Sequence, residues 1–318
     1  MKIGVAGAGA VGSLFGALLA NAHHEVTFLA RGKHLTRLQE RGIKVVSEQY
    51  PILNLNNEHT IFTNDIHALA SVDILLFCVK STDTKKLADS LKGVIKDETM
   101  IVTMQNGVDN EEILARSLTS NKIFSCATYV QASITEPGCV KESGSHQLLM
   151  GALQKENSNQ ARNIVELFQE AGIRAKFTEE ILMHKWKKLL WNITFNPLSA
   201  ITKATIGEIL DSVELSALAK NVASEAVSVA ARQGYSFDKE KMIPSIFKKA
   251  TYAKEHQTSM LQDRLNGKAM EYESMCGYVL KLAHETEIEV PTIRSLYSIL
   301  KFWDEKDRRK DHRYAENL

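Results

Sequence analysis

Lys2-Ile3-Gly4-Val5-Ala6-Gly7-Ala8-Gly9-Ala10-Val11-Gly12 opens the chain and decides its fold. Lys2–Ala6 is apolar after a single charge and reads as a strand. A helical pattern begins near Val11, and the glycines at 7, 9 and 12 between the two match G-x-G-x-x-G in the strand–turn–helix setting that motif needs. Gly7 permits a tight turn, Gly9 lets a pyrophosphate approach the backbone, and Gly12 lets helix and strand pack closely. The free N–H groups and partial positive charge of the helix start would face the phosphates. Gly7, Ala8, Gly9, Ala10, Val11 and Gly12 are therefore candidate dinucleotide-binding residues.

Outward from this loop, short apolar runs alternate with amphipathic stretches. Strands are predicted at Lys2–Ala6, Glu25–Leu29, Asp73–Val79 and Met100–Met104, and helices at Val11–Ala20, Leu35–Arg41, Lys85–Val94 and Asn110–Leu118. The alternation predicts an α/β fold with an N-terminal Rossmann-like doubly wound sheet. Ile123–Val130 and Gln147–Met150 read as further short strands, extending the sheet antiparallel, with turns suggested by Gly138 and Gly144. Past a last strand at Arg174–Phe177, helical spacing takes over at Leu182–Phe195, Ile206–Leu210, Leu215–Gln233, Ser245–Lys254 and Tyr272–Thr286. The reading is a nucleotide-binding domain over 1–178 and an all-helical domain over 179–318. The charge run Lys306–Tyr314 reads as a solvated or frayed end.

An NAD site expects an acidic residue at the end of the second strand to hold the ribose 2′-hydroxyl. That strand, Glu25-Val26-Thr27-Phe28-Leu29, runs instead into Ala30-Arg31-Gly32-Lys33. Arg31 can grip a 2′-phosphate as a charge-assisted fork, with Lys33 adding a point charge, so NADP(H) is the expected cofactor. Ligands of open parallel sheets bind at the carboxyl ends of strands, which makes Lys80 and Asn106, in the loops after Val79 and Gln105, candidates for the crevice.

Composition narrows the remaining classes. The chain has 318 residues, 44% hydrophobic and 24% charged, enough for about two domains. A net charge of +1 gives no footprint for nucleic acid. No apolar run reaches the roughly 18 residues of a membrane span, and the glycine-broken start does not read as a signal peptide. Cys78, Cys126, Cys139 and Cys276 form no CxxC pair and no zinc spacing, so no metal is expected, and a reducing cytoplasmic setting fits. Cys78 lies in an apolar run and reads as a buried small hydrophobe. A homodimer through the helical half is compatible with the sequence, but no seam is legible.

The chemistry-bearing stretch is Trp186-Lys187-Lys188-Leu189-Leu190-Trp191-Asn192-Ile193-Thr194-Phe195-Asn196-Pro197. Lys188, Asn192 and Asn196 recur every four residues and so form one row on a helix whose flanks are apolar. A polar groove fits this row. So does a lysine snorkelling to solvent beside asparagines that bond backbone groups. Pro197 biases Asn196 away from helical geometry, so the helix is expected to end or kink there. Downstream, Ser259-Met260-Leu261-Gln262-Asp263 is followed by Glu271, which on its own reads as an ordinary surface acid.

Taken in order, the Gly-rich loop, Val79-Lys80, Gln105-Asn106-Gly107, the Lys188–Asn192–Asn196–Pro197 helix and Ser259–Asp263 with Glu271 resemble the ketopantoate reductase (2-dehydropantoate 2-reductase) family over essentially the whole chain. The resemblance implies NADPH-dependent reduction of a small anionic 2-keto acid, ketopantoate, to (R)-pantoate. It implies Lys188 as proton donor to the ketone oxygen and Glu271 as the acid that assists catalysis and arranges the site. It also implies Asn192, Asn196, Ser259 and Asn106 as substrate contacts, with Lys80, Asn106 and Glu271 at the cofactor. The sequence departs from the family pattern at Met270, Glu273 and Cys276, where threonine, aspartate and asparagine are usual. These departures leave open a related dehydrogenase of another 2-keto or 3-hydroxy acid. A catalytically silent NADP sensor is a further reading, against which the intact Lys188, Asn192, Asn196 and Glu271 argue.

Overall fold

The computed structural model describes residues 1–56 and 59–315, with side chains described as far as 306. The chain divides into two compact units, Met1–Lys185 and Trp186–Leu318.

The first unit begins β1 (Lys2–Ala6), α1 (Ala10–Asn21), β2 (Glu25–Leu29) and α2 (Gly32–Arg41). Three short strands follow, β3 (Ile43–Val46), β4 (Leu53–Leu55) and β5 (Thr60–Thr63). Then come β6 (Ile74–Phe77), α3 (Thr84–Leu91), β7 (Met100–Thr103), α4 (Asn110–Ser117), β8 (Lys122–Glu136), β9 (Cys139–Ala152), α5 (Ser158–Glu170) and β10 (Ala175–Phe177). Among the described residues these ten strands form one sheet, ordered β4-β3-β9-β8-β7-β6-β1-β2-β5, with β10 pairing β9. The run β5-β2-β1-β6-β7-β8 is parallel throughout. Numbered among themselves in chain order, these six strands read 3-2-1-4-5-6, the doubly wound order whose reversal point lies between β1 and β6.

Burial explains why the central strands lack polar alternation. Ile74, Leu75, Leu76 and Phe77 are all at most 1% exposed. Successive side chains point to opposite faces, and both faces are covered. Ile74 and Leu76 join the core formed with Leu14, Phe15, Leu18 and Leu19 of α1. Leu75 and Phe77 join a second core with Leu91 of α3 and Leu114 of α4. Cys78, just past β6, is half-buried and packs against the first core, and burial raises its thiol's pKa.

The expected extension is antiparallel only in part, because β8 joins β7 in parallel and it is β9 that returns antiparallel to β8, and both strands are far longer than predicted. β8 and β9 form a hairpin of 15 and 14 residues. Gly138 turns the hairpin, whereas Gly144 does not turn the chain. It lies inside β9 at φ +68°, where the register shifts from Tyr129↔Gln147 to Gln131↔Ser143, and so belongs to a bulge. The weak alternation of β3, β4 and β5 carried no legible signal, whereas α5 has an amphipathic stripe, with Ala161, Ile164, Val165 and Phe168 buried at helical spacing, that the strand–helix reading passed over.

A buried network braces this hairpin. The Glu142 carboxylate accepts from Ser47 Oγ at 2.6 Å and from His146 Nδ1 at 2.7 Å. The Arg174 N–H points at His146 Nε2 at 3.1 Å, so Nε2 is the acceptor and Nδ1 carries the proton. Burial alone would raise the Glu142 pKa, but the bonds from His146 and Ser47 outweigh it and hold the carboxyl below its ordinary 4.5. A depressed native pKa adds stability above the unfolded value that is lost as pH falls through the folded one. Glu142→Gln should therefore cost about 1.5–3 kcal/mol at neutral pH. Urea unfolding should show the gap from wild type narrowing as the pH drops below 4.5. A gap constant from pH 7 to the acid limit would contradict this account.

The division between the units falls inside α6 (Ile181–Thr202), after Lys185. The second unit continues with α7 (Ile206–Asp211), α8 (Val213–Arg232), α9 (Lys239–Ala250), α10 (Ser259–Leu265), a π-helical turn at Glu273–Gly277, α11 (Tyr278–Glu285) and α12 (Pro291–Ala315). Its starts are capped by side chains. Thr205 and Glu208 make a capping box on α7, Ser212 caps α8 and Asp238 caps α9. The Glu225 carboxylate accepts the Thr292 and Ile293 N–H groups at the head of α12 at 2.9 Å each. The Asp238 cap explains why α9 begins at Lys239 rather than at Ser245, where the sequence reading started it. The tail continues α12 to Ala315, and the side chains of its charge run from 307 on lie outside the described residues.

Pro197 neither ends α6 nor displaces Asn196 from it, because the helix runs on to Thr202. An interior proline costs about 3 kcal/mol. Against that cost, Ile193, Phe195, Leu198 and Ala200 are all at most 1% exposed, and burying such side chains contributes about 1.5–3 kcal/mol for each large one. The far end is also held, since the Arg264 guanidinium donates to the Ala200 and Ile201 carbonyls while lying over the Trp303 ring.

Candidate active site

In the first unit the carboxyl ends of β1, β2, β6 and β7 carry the predicted loops. Gly7 adopts φ +102°, and a Cβ there would lie 2.8 Å from the Val79 backbone nitrogen. A Cβ on Gly12 would lie 2.2 Å from the Gly7 carbonyl oxygen. Both glycines are thus required by the backbone itself. Gly9 differs, because a Cβ built on it meets nothing within 4 Å. It is the N-cap of α1, which has no side-chain cap and no acidic residue in its first turn. The N–H groups of that turn have no helical acceptors and point to where an anion would sit. The donor set and the open space at Gly9 fit the pyrophosphate of a dinucleotide.

The loop after β2 lies beside this cradle, with the Ala8 N–H donating to the Leu29 carbonyl at 3.1 Å. Arg31 N-caps α2, and its side chain is 88% exposed. Its guanidinium meets Asp83 Oδ2 at 2.9 Å. Asp83 ends the short turn that Lys80 starts, the Asp83 N–H donating to the Lys80 carbonyl at 2.9 Å. The structure therefore brings Arg31 and the Lys80 turn together through an acid that the motif reading did not single out. Lys33 is exposed in the first turn of α2.

The Asn106 loop is held by a continuous net. Gln105 Nε2 donates to the Val79 carbonyl at 2.9 Å and to Thr84 Oγ1 at 2.7 Å. Thr84 Oγ1 donates to Asn110 Oδ1 at 2.8 Å, and Asn110 Nδ2 donates to the Asn106 carbonyl at 2.7 Å. Asn106 itself is half-buried. Lys185 and Glu111 also join this net, and sequence reasoning missed both. Four lysines lie between positions 185 and 203, and helical spacing alone does not say which of them is buried.

In the second unit the Lys188–Asn192–Asn196 row survives intact, because α6 does not end at Asn196. The row spans about 12 Å along the axis. Its burial is graded, with Lys188 and Asn192 half-buried and Asn196 buried. Asn196 Nδ2 reaches Ser259 Oγ at 3.5 Å and the Met275 sulfur at 3.8 Å. Ser259 is exposed at the first position of α10, beside the N-cap Thr258. The structure thus joins two sequence-distant candidates, Asn196 and Ser259, and adds Met275 as a weak acceptor.

Glu271 is 7% exposed, not a surface acid. It precedes the π-helical turn, and its carbonyl accepts from Ser274 Oγ at 3.2 Å. Of the departures from the family pattern, Met270 and Cys276 are buried. Burial pushes the Cys276 thiol up to about 12. Glu273 is exposed and accepts from Tyr297 Oη at 2.9 Å, while burial and that bond push the phenol up to about 12. Among the described residues no helix is long and apolar enough to cross a membrane, and no cluster of metal-ligating side chains occurs.

A doubly wound sheet with a Gly-rich anion cradle at its first turn is the architecture of dinucleotide-binding proteins, and here a helical unit bearing a Lys–Asn–Asn row follows it. Comparison with known proteins gives the family. Residues 3–155 match the model of ketopantoate reductase PanE/ApbA, and residues 180–304 match that of its C-terminal portion. The chain belongs to the ketopantoate reductase family. It is 31% identical to a 2-dehydropantoate 2-reductase of Pyrococcus horikoshii over 95% of this chain and 97% of that one. It is 32% identical to one of Archaeoglobus fulgidus over 94% and 97%. A PanE/ApbA family ketopantoate reductase from Ralstonia eutropha superposes with a TM-score of 0.89 at 28% identity, covering 97% of this chain and 100% of that one. A D-mandelate dehydrogenase solved with NADH and anilino(oxo)acetate shares the fold, with a TM-score of 0.88 at 22% identity over 97% and 100% of the two chains.

Proposed function

We propose that this protein reduces 2-dehydropantoate to (R)-pantoate with NADPH, supplying the pantoate from which pantothenate and coenzyme A are made. The observation that carries the proposal is the polar row on α6, placed within a chain that matches the family over both units. When bound, the nicotinamide supplies a hydride to the keto carbon. Negative charge then grows on the ketone oxygen, and the Lys188 ammonium stabilises that charge and donates the proton. Asn192, Asn196 and Ser259 donate hydrogen bonds to the substrate's hydroxyl and carboxylate, with Asn106 contributing from the strand-end loop. The Glu271 carboxylate orients the site and assists the proton donor. Gly7 to Gly12 hold the pyrophosphate, and Lys80 lies at the cofactor's side of the crevice. The test is NADPH oxidation on adding ketopantoate. No oxidation with ketopantoate, but oxidation with another 2-keto acid, would move the assignment to a related dehydrogenase. The buried, largely apolar Met270 and Cys276 give that second reading its one specific support.

The NADPH preference rests on Arg31, with Lys33 beside it, and on the missing acid at the end of β2. Asp83 competes with a 2′-phosphate for the Arg31 guanidinium. Exposed pairs of this kind contribute up to about 1 kcal/mol. Asp83→Asn should therefore tighten NADPH by up to about fivefold, while Arg31→Ala should weaken NADPH and leave NADH unchanged. Dissociation constants for both cofactors from nucleotide fluorescence check this. Equal losses of NADPH and NADH in Arg31→Ala would remove the 2′-phosphate from Arg31.

A further inference from the structure

Lys185 and Glu111 form an ion pair that none of the roles above uses. Nζ lies 3.0 Å from Glu111 Oε1, with the side chains only 2% and 5% exposed. The same amine donates to the Gln105 carbonyl at 2.7 Å, and Ser125 Oγ donates to the same carboxylate oxygen at 2.5 Å. Glu111 Oε2 is buried without a partner among the described groups. Desolvating two charges offsets much of what their attraction returns, and apolar residues of similar volume often hold such a position as well or better. Stability alone therefore does not explain a lysine on the buried face of this helix.

What the amine grips is more informative. Gln105 immediately precedes Asn106, and its side chain ties the loop after β7 to Val79 and Thr84, beside Lys80. Glu111 sits in the first turn of α4, one residue after Asn110, which holds the Asn106 carbonyl. Lys185 sits in α6, three residues ahead of Lys188 on the same uninterrupted helix. The pair thus joins the base of the helix that bears the proposed proton donor to the loop that bears a proposed substrate contact. We propose that Lys185, with Glu111 as its counterion, is a positioning residue for the proposed reduction, on which this inference rests. It clamps the start of α6 to the Gln105 carbonyl and holds the Asn106 loop in one conformation. Reacting groups misplaced by about 1 Å can lose on the order of a hundredfold in rate, so a clamp of this kind acts on turnover rather than on cofactor binding.

The test compares wild type with Lys185→Met and with the double variant Lys185→Met/Glu111→Gln. The double variant leaves no unpaired buried charge and keeps an acceptor for Ser125. The expected result is a double variant that melts close to wild type and binds NADPH within about twofold of it, yet loses at least about tenfold in kcat with ketopantoate. Amide deuterium exchange over 105–110 and 181–185 should be faster in both variants. A double variant with wild-type melting, turnover and exchange would overturn the proposal and leave the pair merely structural. If wild type itself does not oxidise NADPH with ketopantoate, the proposed reduction fails. The exchange measurement still decides on the clamp, with faster exchange supporting it and unchanged exchange overturning it.

Discussion

Lys188→Ala should lower kcat for ketopantoate reduction by about 10²–10⁴-fold and leave the NADPH dissociation constant within about twofold of wild type. The size follows from the chemistry. Hydride addition leaves an alkoxide, and without a donor in reach its proton must come from water, with the charge unstabilised until then. The substitution is mild for the fold. Lys188 is half-buried in the middle of α6, and alanine is the residue a helix interior accepts best. A fall in turnover is then chemistry rather than unfolding, and a melting curve alongside the kinetics checks this. Lys188→Arg sharpens the test, since it keeps the positive charge but offers a group that does not give up its proton near neutral pH. It should hold KM better than Lys188→Ala and recover little of kcat. Unchanged kcat in Lys188→Ala would remove this amine from the mechanism.

Gly9→Ala should weaken dinucleotide binding without destabilising the protein, and Gly12→Ala should chiefly destabilise the fold. At Gly9 the backbone sits at φ −75°, which any residue accepts, and the added methyl would meet no atom within 4 Å. Its only effect is to fill the space a pyrophosphate would enter, so NADPH affinity should fall by at least about tenfold with melting unchanged. At Gly12 the methyl would lie 2.2 Å from the Gly7 carbonyl oxygen and 2.8 Å from Val5 Cγ1. Backbone on one side and a packed strand on the other cannot both give way, and such overpacking costs about 1–3 kcal/mol or more. Isothermal titration with NADPH and thermal melts on both variants separate the two effects. A Gly9→Ala protein that binds NADPH like wild type would move the pyrophosphate away from this turn.

The first half of the sheet was readable because its signals are local. Glycines at fixed offsets and unbroken apolar runs at strands buried on both faces are properties of a few neighbouring residues. β3, β4 and β5 are three or four residues long and partly exposed, too short for alternation to register. Pro197 misled for a related reason. Its cost to the helix is local, but the burial of the helix around it, which outweighs that cost, is set by distant partners.

The candidate site divides along the same line. Helical period alone places Lys188, Asn192 and Asn196 in one row, and the unbroken α6 keeps that row in place. Spacing does not say that Asn196 meets Ser259, that Asp83 faces Arg31, or that Glu271 is buried. Nor does it distinguish the buried Lys185 from the exposed Lys187, two residues along the same helix. Periodicity is written into consecutive residues, so the doubly wound class, the Gly-rich cradle and the polar row can be read from the chain without a fold. Burial and charge pairing depend on residues tens of positions apart, brought together only by packing. Which lysine is buried, and which acid answers which base, is therefore settled by the folded molecule.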